Sequence, residues 1–222
     1  MDKVTICNMA LSHIKAGPIA SLSENDTNAN QCQIFYDTSR GAVLEAFNWT
    51  FSRHTAALTL ITEYADPVLF GFRYRYAYPT DCRKARYMPS DDYYGKFYTG
   101  YNSRMDEGGN GLNVPTTEIP ARYKIELDEA GNRRTILTDK KDARLVYTKD
   151  VEDTNLFSSE FTLALSFHLA AILAYPLGQG EKDANRAKKA YDEILMSAKE
   201  SDANEDDNPL PQETSEFIRA RS

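Results

Sequence analysis

The chain of 222 residues is poor in cysteine and histidine. Its three cysteines, Cys7, Cys32 and Cys82, are widely spaced, odd in number and form no CxxC pair. That pattern signals neither a disulfide framework nor a zinc site, and it predicts reduced, mostly buried thiols. The three histidines, His13, His54 and His168, stand alone. None has a second histidine at i+3 or i+4 and none lies in an HExxH run, so a metal centre is not expected. There is no GxGxxG, GxxxxGK[ST] or GxSxG pattern, so neither a phosphate cradle nor a nucleophile elbow is signalled. The glycine-rich run at 108–111 lacks the following lysine and reads as a flexible loop tip. Long apolar runs are also missing. Residues 161–175 are interrupted by Thr162, Ser166 and His168 and end at Pro176, too short and too polar for a membrane span. Residues 1–10 lack a basic stretch followed by an apolar one, which predicts no signal peptide and synthesis in a cytoplasm. Positive charge is in deficit as well: the net charge is -7 and the sequence pI about 5.1. An acidic chain is a poor general binder of nucleic acid, although local basic patches remain open to it.

What is present is ordinary globular material. Hydrophobic residues make up 41% of the chain, enough to bury a core rather than remain disordered. Tyrosine is the abundant exception. Of 14 in the chain, those at 64, 74, 76, 78, 87, 93, 94, 98 and 101 cluster in the middle. Two readings fit: an amphipathic surface buried on assembly, or a β-rich segment, since tyrosine favours strands.

Periodicity divides the chain. Residues 3–14 carry Val4, Ile6, Cys7, Leu11 and Ile14 at helical spacing, with Asp2 as a cap and Gly17-Pro18 as a stop. Residues 28–47 predict a second helix with Cys32, Phe35, Tyr36, Val43, Leu44 and Phe47 on one side. The lone tryptophan, Trp49, lies between Phe47 and Phe51 and is expected in the core. Residues 53–61 read as helix or extended chain. Residues 70–79 alternate aromatic and basic, a strand pattern, and 82–88 predict another. Residues 91–120, rich in Gly, Asn, Tyr and Pro, read as a long loop or protruding hairpin. Strands at 121–127 and 133–138 flank a turn and form a hairpin, and a third at 143–148 would complete one sheet. Helical spacing resumes at 158–174, capped by Ser158 or Ser159 and broken by Pro176 and Gly178, and again at 181–199 with Ala187, Ala190, Tyr191, Ile194 and Leu195 inward. The expected class is α+β, mainly α. Terminal helices form a bundle (1–66 and 152–202), a small antiparallel sheet with a long loop is inserted at 67–151, and an extended arm covers 203–222.

Few side chains suggest a function. His168, on the apolar side of its helix, reads as a hydrogen-bonded core histidine. The acidic pairs Asp91-Asp92 and Asp206-Asp207 read as solvated charge. Arg73, Arg75, Arg83, Lys84 and Arg86 concentrate positive charge in an acidic chain. They would meet an acidic neighbouring subunit or passing DNA, or pair with carboxylates of their own strands. Near the C-terminus, Phe217 and Ile218 stand beside Arg219 and Arg221, after an acidic, proline-punctuated stretch. That arrangement suits docking on another surface after a tether; the alternative is a frayed end.

The order of these residues resembles the phage tail tubular protein A family, the head-to-tail connectors of short-tailed bacteriophages. The resemblance begins with Ile6, Cys7, Asn8, Met9, Ala10, Leu11, Ile14, Gly17 and Ile19. It continues through Cys32 to Phe51, with Phe35, Tyr36, Asp37, Arg40, Leu44, Glu45, Phe47 and Trp49, and on to Arg53, Ala56 and Ala57. The stretch Tyr76, Ala77, Tyr78, Pro79, Asp81 and Cys82 and the Arg-containing segment 217–221 extend it, while 91–118 is the least similar part. The resemblance implies a ring of about twelve copies between the portal protein and the tail nozzle protein. It implies a helical body with an added β part, C-terminal segments that embrace the portal, and a central channel for genomic DNA without sequence recognition. It carries over no catalytic residue, cofactor or metal ligand, and places the protein in the virion neck rather than in a membrane. Two other classes remain open: a tail-borne cell-wall hydrolase, which would need a convergent acidic pair in a cleft and would clear a zymogram, and a host- or capsid-binding module, which would ignore the portal.

Overall fold

The computed structural model describes residues 1–66, 71–89, 104–105, 111–112 and 121–206. The fold is α+β and divides into two units, one of residues 1–51 and 152–222, the other of 52–151.

The first unit is helical. Helix α1 (Lys3–His13) starts where the Asp2 carboxylate accepts the Thr5 N–H at 2.8 Å, and α2 (Thr27–Ala46) where Asp26 accepts that of Asn28. Helix α3 (Ser159–Leu173) is capped by Ser158, whose hydroxyl accepts the Phe161 N–H at 3.1 Å. These side chains satisfy amide donors that a helix start leaves open. A reversal with Gly178 at φ 71° separates α3 from α4 (Gly180–Asp206). Helix α4 runs on to Asp206, past the expected end near 199 and into the expected arm at 203–222, because its Ala-rich, charged sequence has no breaker before Pro209. Helices α1, α2 and α4 all pack on α3, whose Phe161, Leu165, Leu169 and Leu173 are fully buried, while α1 and α2 meet mainly through side chains such as Lys3 and Asp37. Asn8 clamps the loop after α1 in both directions: its amide donates to the Ile19 carbonyl at 2.9 Å and its oxygen accepts the Ile19 N–H at 2.8 Å.

Trp49 is 3% exposed and sits among aromatic rings, with centroids 5.0 Å from Phe47 and 5.2 Å from Phe161, both edge-on. Its indole N–H donates to the Val43 carbonyl at 2.8 Å. Val43 lies in the last turn of α2, where carbonyls lack a helical partner, so the core tryptophan also finishes the helix.

The second unit is two antiparallel sheets. Strands β1 (Arg53–Ala57), β9 (Arg144–Lys149) and β4 (Cys82–Tyr87) form one in the order β1-β9-β4. Strands β2 (Leu60–Glu63), β3 (Tyr74–Ala77), β8 (Arg134–Thr138) and β7 (Tyr123–Leu127) form the other in the order β2-β3-β8-β7. Tyr74, Tyr76 and Ile136 of the four-stranded sheet share a core with Ala56, Cys82, Leu145 and Tyr147 of the three-stranded one. Two-residue strands β5 (Arg104–Met105) and β6 (Gly111–Leu112) pair within the long segment read as a loop or hairpin.

Three expectations change. Residues 53–63 belong to the β unit as β1 and β2, not to the helical body ending at 66. Their apolar residues lie on outer strands where alternation is weak. The strand at 144–149 does not extend the β7–β8 hairpin. The reversal at 139–142, with Asp142 at φ 53°, turns it into the other sheet between β1 and β4, so the insertion holds two main sheets rather than one. The tyrosines also divide. Tyr64, Tyr74 and Tyr76 are buried, Tyr87 is 36% exposed, and those at 93, 94, 98 and 101 lie outside the described residues.

Candidate interaction surfaces

The five basic residues do not form one patch. Arg75 lies on β3 of the four-stranded sheet, with Arg73 just before it; Arg83, Lys84 and Arg86 lie on β4 of the three-stranded one. Arg73, beside β3, places its Nε 3.6 Å from Glu63. Arg83 Nε lies 3.2 Å from Asp150, and Arg86 Nε donates to the Thr148 hydroxyl at 2.7 Å. Lys84 is exposed. The partners of these cations come from neighbouring strands, which a reading of one strand at a time does not reveal.

Arg75 is the unusual one. Its side chain is 7% exposed, on the face of β3 opposite Tyr74 and Tyr76, with its guanidinium 5.7 Å from the Tyr64 ring centre. Nη2 donates to Glu126 at 3.1 Å, while buried Nε and Nη1 have no partner. Lys124 Nζ shares the same carboxylate at 3.1 Å. Tyr64, Phe72 and Leu137 form a small apolar cluster on this side of the sheet. Cation–π attraction from Tyr64 offsets part of the desolvation, and the unmade hydrogen bonds remain a cost.

The motif from Tyr76 to Cys82 works as a latch. The Tyr76 hydroxyl donates to the Lys140 carbonyl at 3.0 Å and accepts the Ala143 N–H at 3.4 Å, pinning the 139–142 reversal. The Asp81 carboxylate accepts the Tyr147 hydroxyl at 2.8 Å and lies 3.5 Å from Lys149 Nζ, and its carbonyl accepts the Asp150 N–H.

The helical unit holds the remaining reactive types. Cys7 and Cys32, both fully buried, share a hydrogen bond between α1 and α2; that bond, and then burial, push the Cys7 thiol far up, which keeps it protonated. Among the described residues no cluster of His, Cys, Asp and Glu is placed to hold a metal, and no helix is long and apolar enough to cross a membrane.

His168 differs from expectation. It is half-buried, edge-on to Tyr191 at 5.0 Å, and its buried Nδ1 has no hydrogen-bond partner. It faces α4 rather than the polar backbone groups a fully buried ring would need. Burial holds it below the ordinary histidine range. His13, stacked on Phe167 with Nε2 3.0 Å from the Ser166 hydroxyl, is lowered by burial and then by Arg186. The sign follows from linkage. The folded form favours the neutral ring, while the unfolded chain takes up a proton below about pH 6.5. Stability is therefore full above that value and falls as the pH drops through it toward the lower folded pKa values. Urea midpoints at about pH 7.5 and about pH 5 should differ in that direction, and His168→Leu should shrink the difference. An equal difference in the variant would remove His168 from the account.

Exposed apolar side chains collect at two places on the β unit. Leu60 and Ile61 on β2 are 48% and 52% exposed, and Ile125 and Leu127 on β7 are 40% and 55% exposed. These are the two outer strands of one sheet. The expected docking residues Phe217, Ile218, Arg219 and Arg221, and the pair Asp91-Asp92, lie outside the described residues. Compared with known proteins, the chain matches no protein-family model and no curated protein.

Proposed function

We propose that the chain is a structural virion protein, a subunit of the head-to-tail connector ring of a short-tailed bacteriophage. It binds the portal protein, offers a platform to the tail nozzle protein, and surrounds DNA without reading its sequence. It carries no catalytic site and no cofactor. The reading is supported by the ordered resemblance to the tail tubular protein A family. Several of the residues that carry that resemblance hold each unit together. Ile6, Leu11, Ile14, Cys32, Tyr36 and Leu44 are core, Asn8 and Ile19 clamp a loop, Trp49 closes α2, and Tyr76 and Asp81 latch the β unit. A shared signature of this kind specifies a scaffold, which suits a protein whose work is assembly.

In this reading the C-terminal segment orders on the portal surface, and contacts made there offset its ordering cost, so assembly waits for the portal. Repetition round the ring adds weak contacts into a strong attachment. Deleting residues 208–222 should leave the circular dichroism spectrum and thermal midpoint unchanged while weakening binding to the portal of the same phage by at least about a hundredfold. A truncated protein that binds portal as tightly as the full chain would overturn the role given to the segment.

A further inference from the structure

The four-stranded sheet ends in two dissimilar edges, and both are apolar in water. Its outer strands β2 and β7 pair with no further strand among the described residues. Among the described residues each therefore presents an edge with no strand beside it, a template that natural sheets usually shield with charge or proline. Here β2 carries Leu60 and Ile61, and β7 carries Ile125 and Leu127. The register shift between Leu60 and Thr62 adds Ile61 to the β2 edge.

We propose that copies of this chain join edge to edge, with β7 of one copy running antiparallel beside β2 of the next, so that the sheet continues across the contact. Strand direction permits it. Every neighbour in the order β2-β3-β8-β7 is antiparallel, so β2 and β7 run in opposite senses and a repeated copy preserves the alternation. The rows also continue. Leu60, Tyr76, Ile136 and Ile125 lie side by side across the sheet, so the next row position brings Ile125 against Leu60 of the neighbour. Glu63, Tyr74, Thr138 and Tyr123 share another row, so the neighbour's Glu63 falls opposite Tyr123, between exposed Arg122 and Lys124, which within their own chain already meet Asp139 and Glu126. A symmetric β7–β7 pair would cover Ile125 and Leu127 but leave Leu60 and Ile61 in water. The β7-to-β2 contact covers all four at once. Because its two sides differ it is heterologous, and repetition closes a ring or grows a filament. The proposal rests on the connector reading only in taking the partner to be a second copy.

Strands of four and five residues make a small contact, so the test traps it covalently. Leu60→Cys and Ile125→Cys are made singly and together in the full-length chain, whose own cysteines are all buried. Paired strands bring facing Cα atoms to about 4.5–5.5 Å, within disulfide reach. Under mild oxidation the double variant should give a ladder of dimers, trimers and higher species. A mixture of the two single variants should stop at dimers, and neither single variant should cross-link alone. Adding Leu127→Lys should cut the ladder about tenfold by placing a charge in the apolar row. Cross-linking of Ile125→Cys by itself would replace the proposal with a symmetric dimer. A double variant that cross-links no better than one with cysteines at the exposed positions Lys182 and Lys189 would overturn it. Portal binding separates the two readings: a protein that binds portal without laddering keeps the connector reading and loses the edge contact, and one that ladders without binding portal does the reverse.

Discussion

Replacing Trp49 with alanine will destabilise the helical unit by about 3–5 kcal/mol, the range for removing a large buried aromatic, and will lower its thermal midpoint by roughly 10–20 °C. Three observations put it at the upper end. The ring is 3% exposed and meets Phe47, Phe51 and Phe161, and Phe161 in turn packs edge-on to Phe51 and Phe157, so the cavity opens at the centre of an aromatic cluster. Neighbours on different helices cannot all move to fill it. The Val43 carbonyl also loses the indole N–H at the end of α2, a further cost of about 1–2 kcal/mol when a buried acceptor goes unmet. Trp49→Phe should keep part of the packing and lose only that bond and the excess volume. Calorimetry of the three proteins tests the order: wild type, then phenylalanine, then alanine. A Trp49→Ala midpoint within a few degrees of wild type would show that the cluster does not depend on its central ring.

The second large effect is asymmetric. Glu126→Ala should destabilise the β unit, whereas Arg75→Met should be tolerated or stabilising. Removing the acidic partner of a fully buried pair costs about 3–5 kcal/mol, because the remaining charge is buried and unpaired. Glu126 keeps 31% of its side chain in water, so screening reduces the expected cost to about 2–3 kcal/mol. Arg75→Met removes the charge together with the unsatisfied Nε and Nη1 and leaves a flexible apolar chain under Tyr64. The double variant should then be close to Arg75→Met alone, since Glu126 has lost its dependent. Hydrogen exchange along β3 and β8, read beside calorimetry, reports this directly. Equal losses for the two single variants would mean that the pair itself, rather than relief from a buried charge, sets the energy.

The helices were legible because their signals are local. Asp2 and Ser158 each stand just before an apolar repeat and each caps the helix that follows. Trp49 was equally plain, a large ring flanked by two phenylalanines after a helix. The β unit was less so, and for definite reasons. A four-residue connection between two strand patterns usually makes a hairpin. The 139–142 turn has that length, yet Asp142 in the left-handed region and the Tyr76 hydroxyl send the chain to the other sheet. Strands β1 and β2 are outer strands with only part of one face covered, so their sequence lacks the alternation that marks a half-buried strand. Arg75 looks like its neighbours Arg73 and Arg83 in sequence. Its guanidinium lies under Tyr64, which approaches from outside its own strand. The candidate surface was legible only as composition: the basic residues could be named, but their division between two sheets is a property of register.

The position of α3 also sets a timetable for the nascent chain. Helices α1 and α2 both lay their main apolar faces on α3, and Ser159 follows Ala46 by 113 residues (159 − 46). At translation rates of about 5–20 residues per second, their apolar faces wait roughly 5–20 s for the helix that covers them. The β unit is one continuous stretch, residues 52–151, and all its strands have been made before α3 begins. The ribosome thus releases a finished β unit joined to two uncovered helices. Those helices are the part of the molecule that most needs protection from misassociation during synthesis.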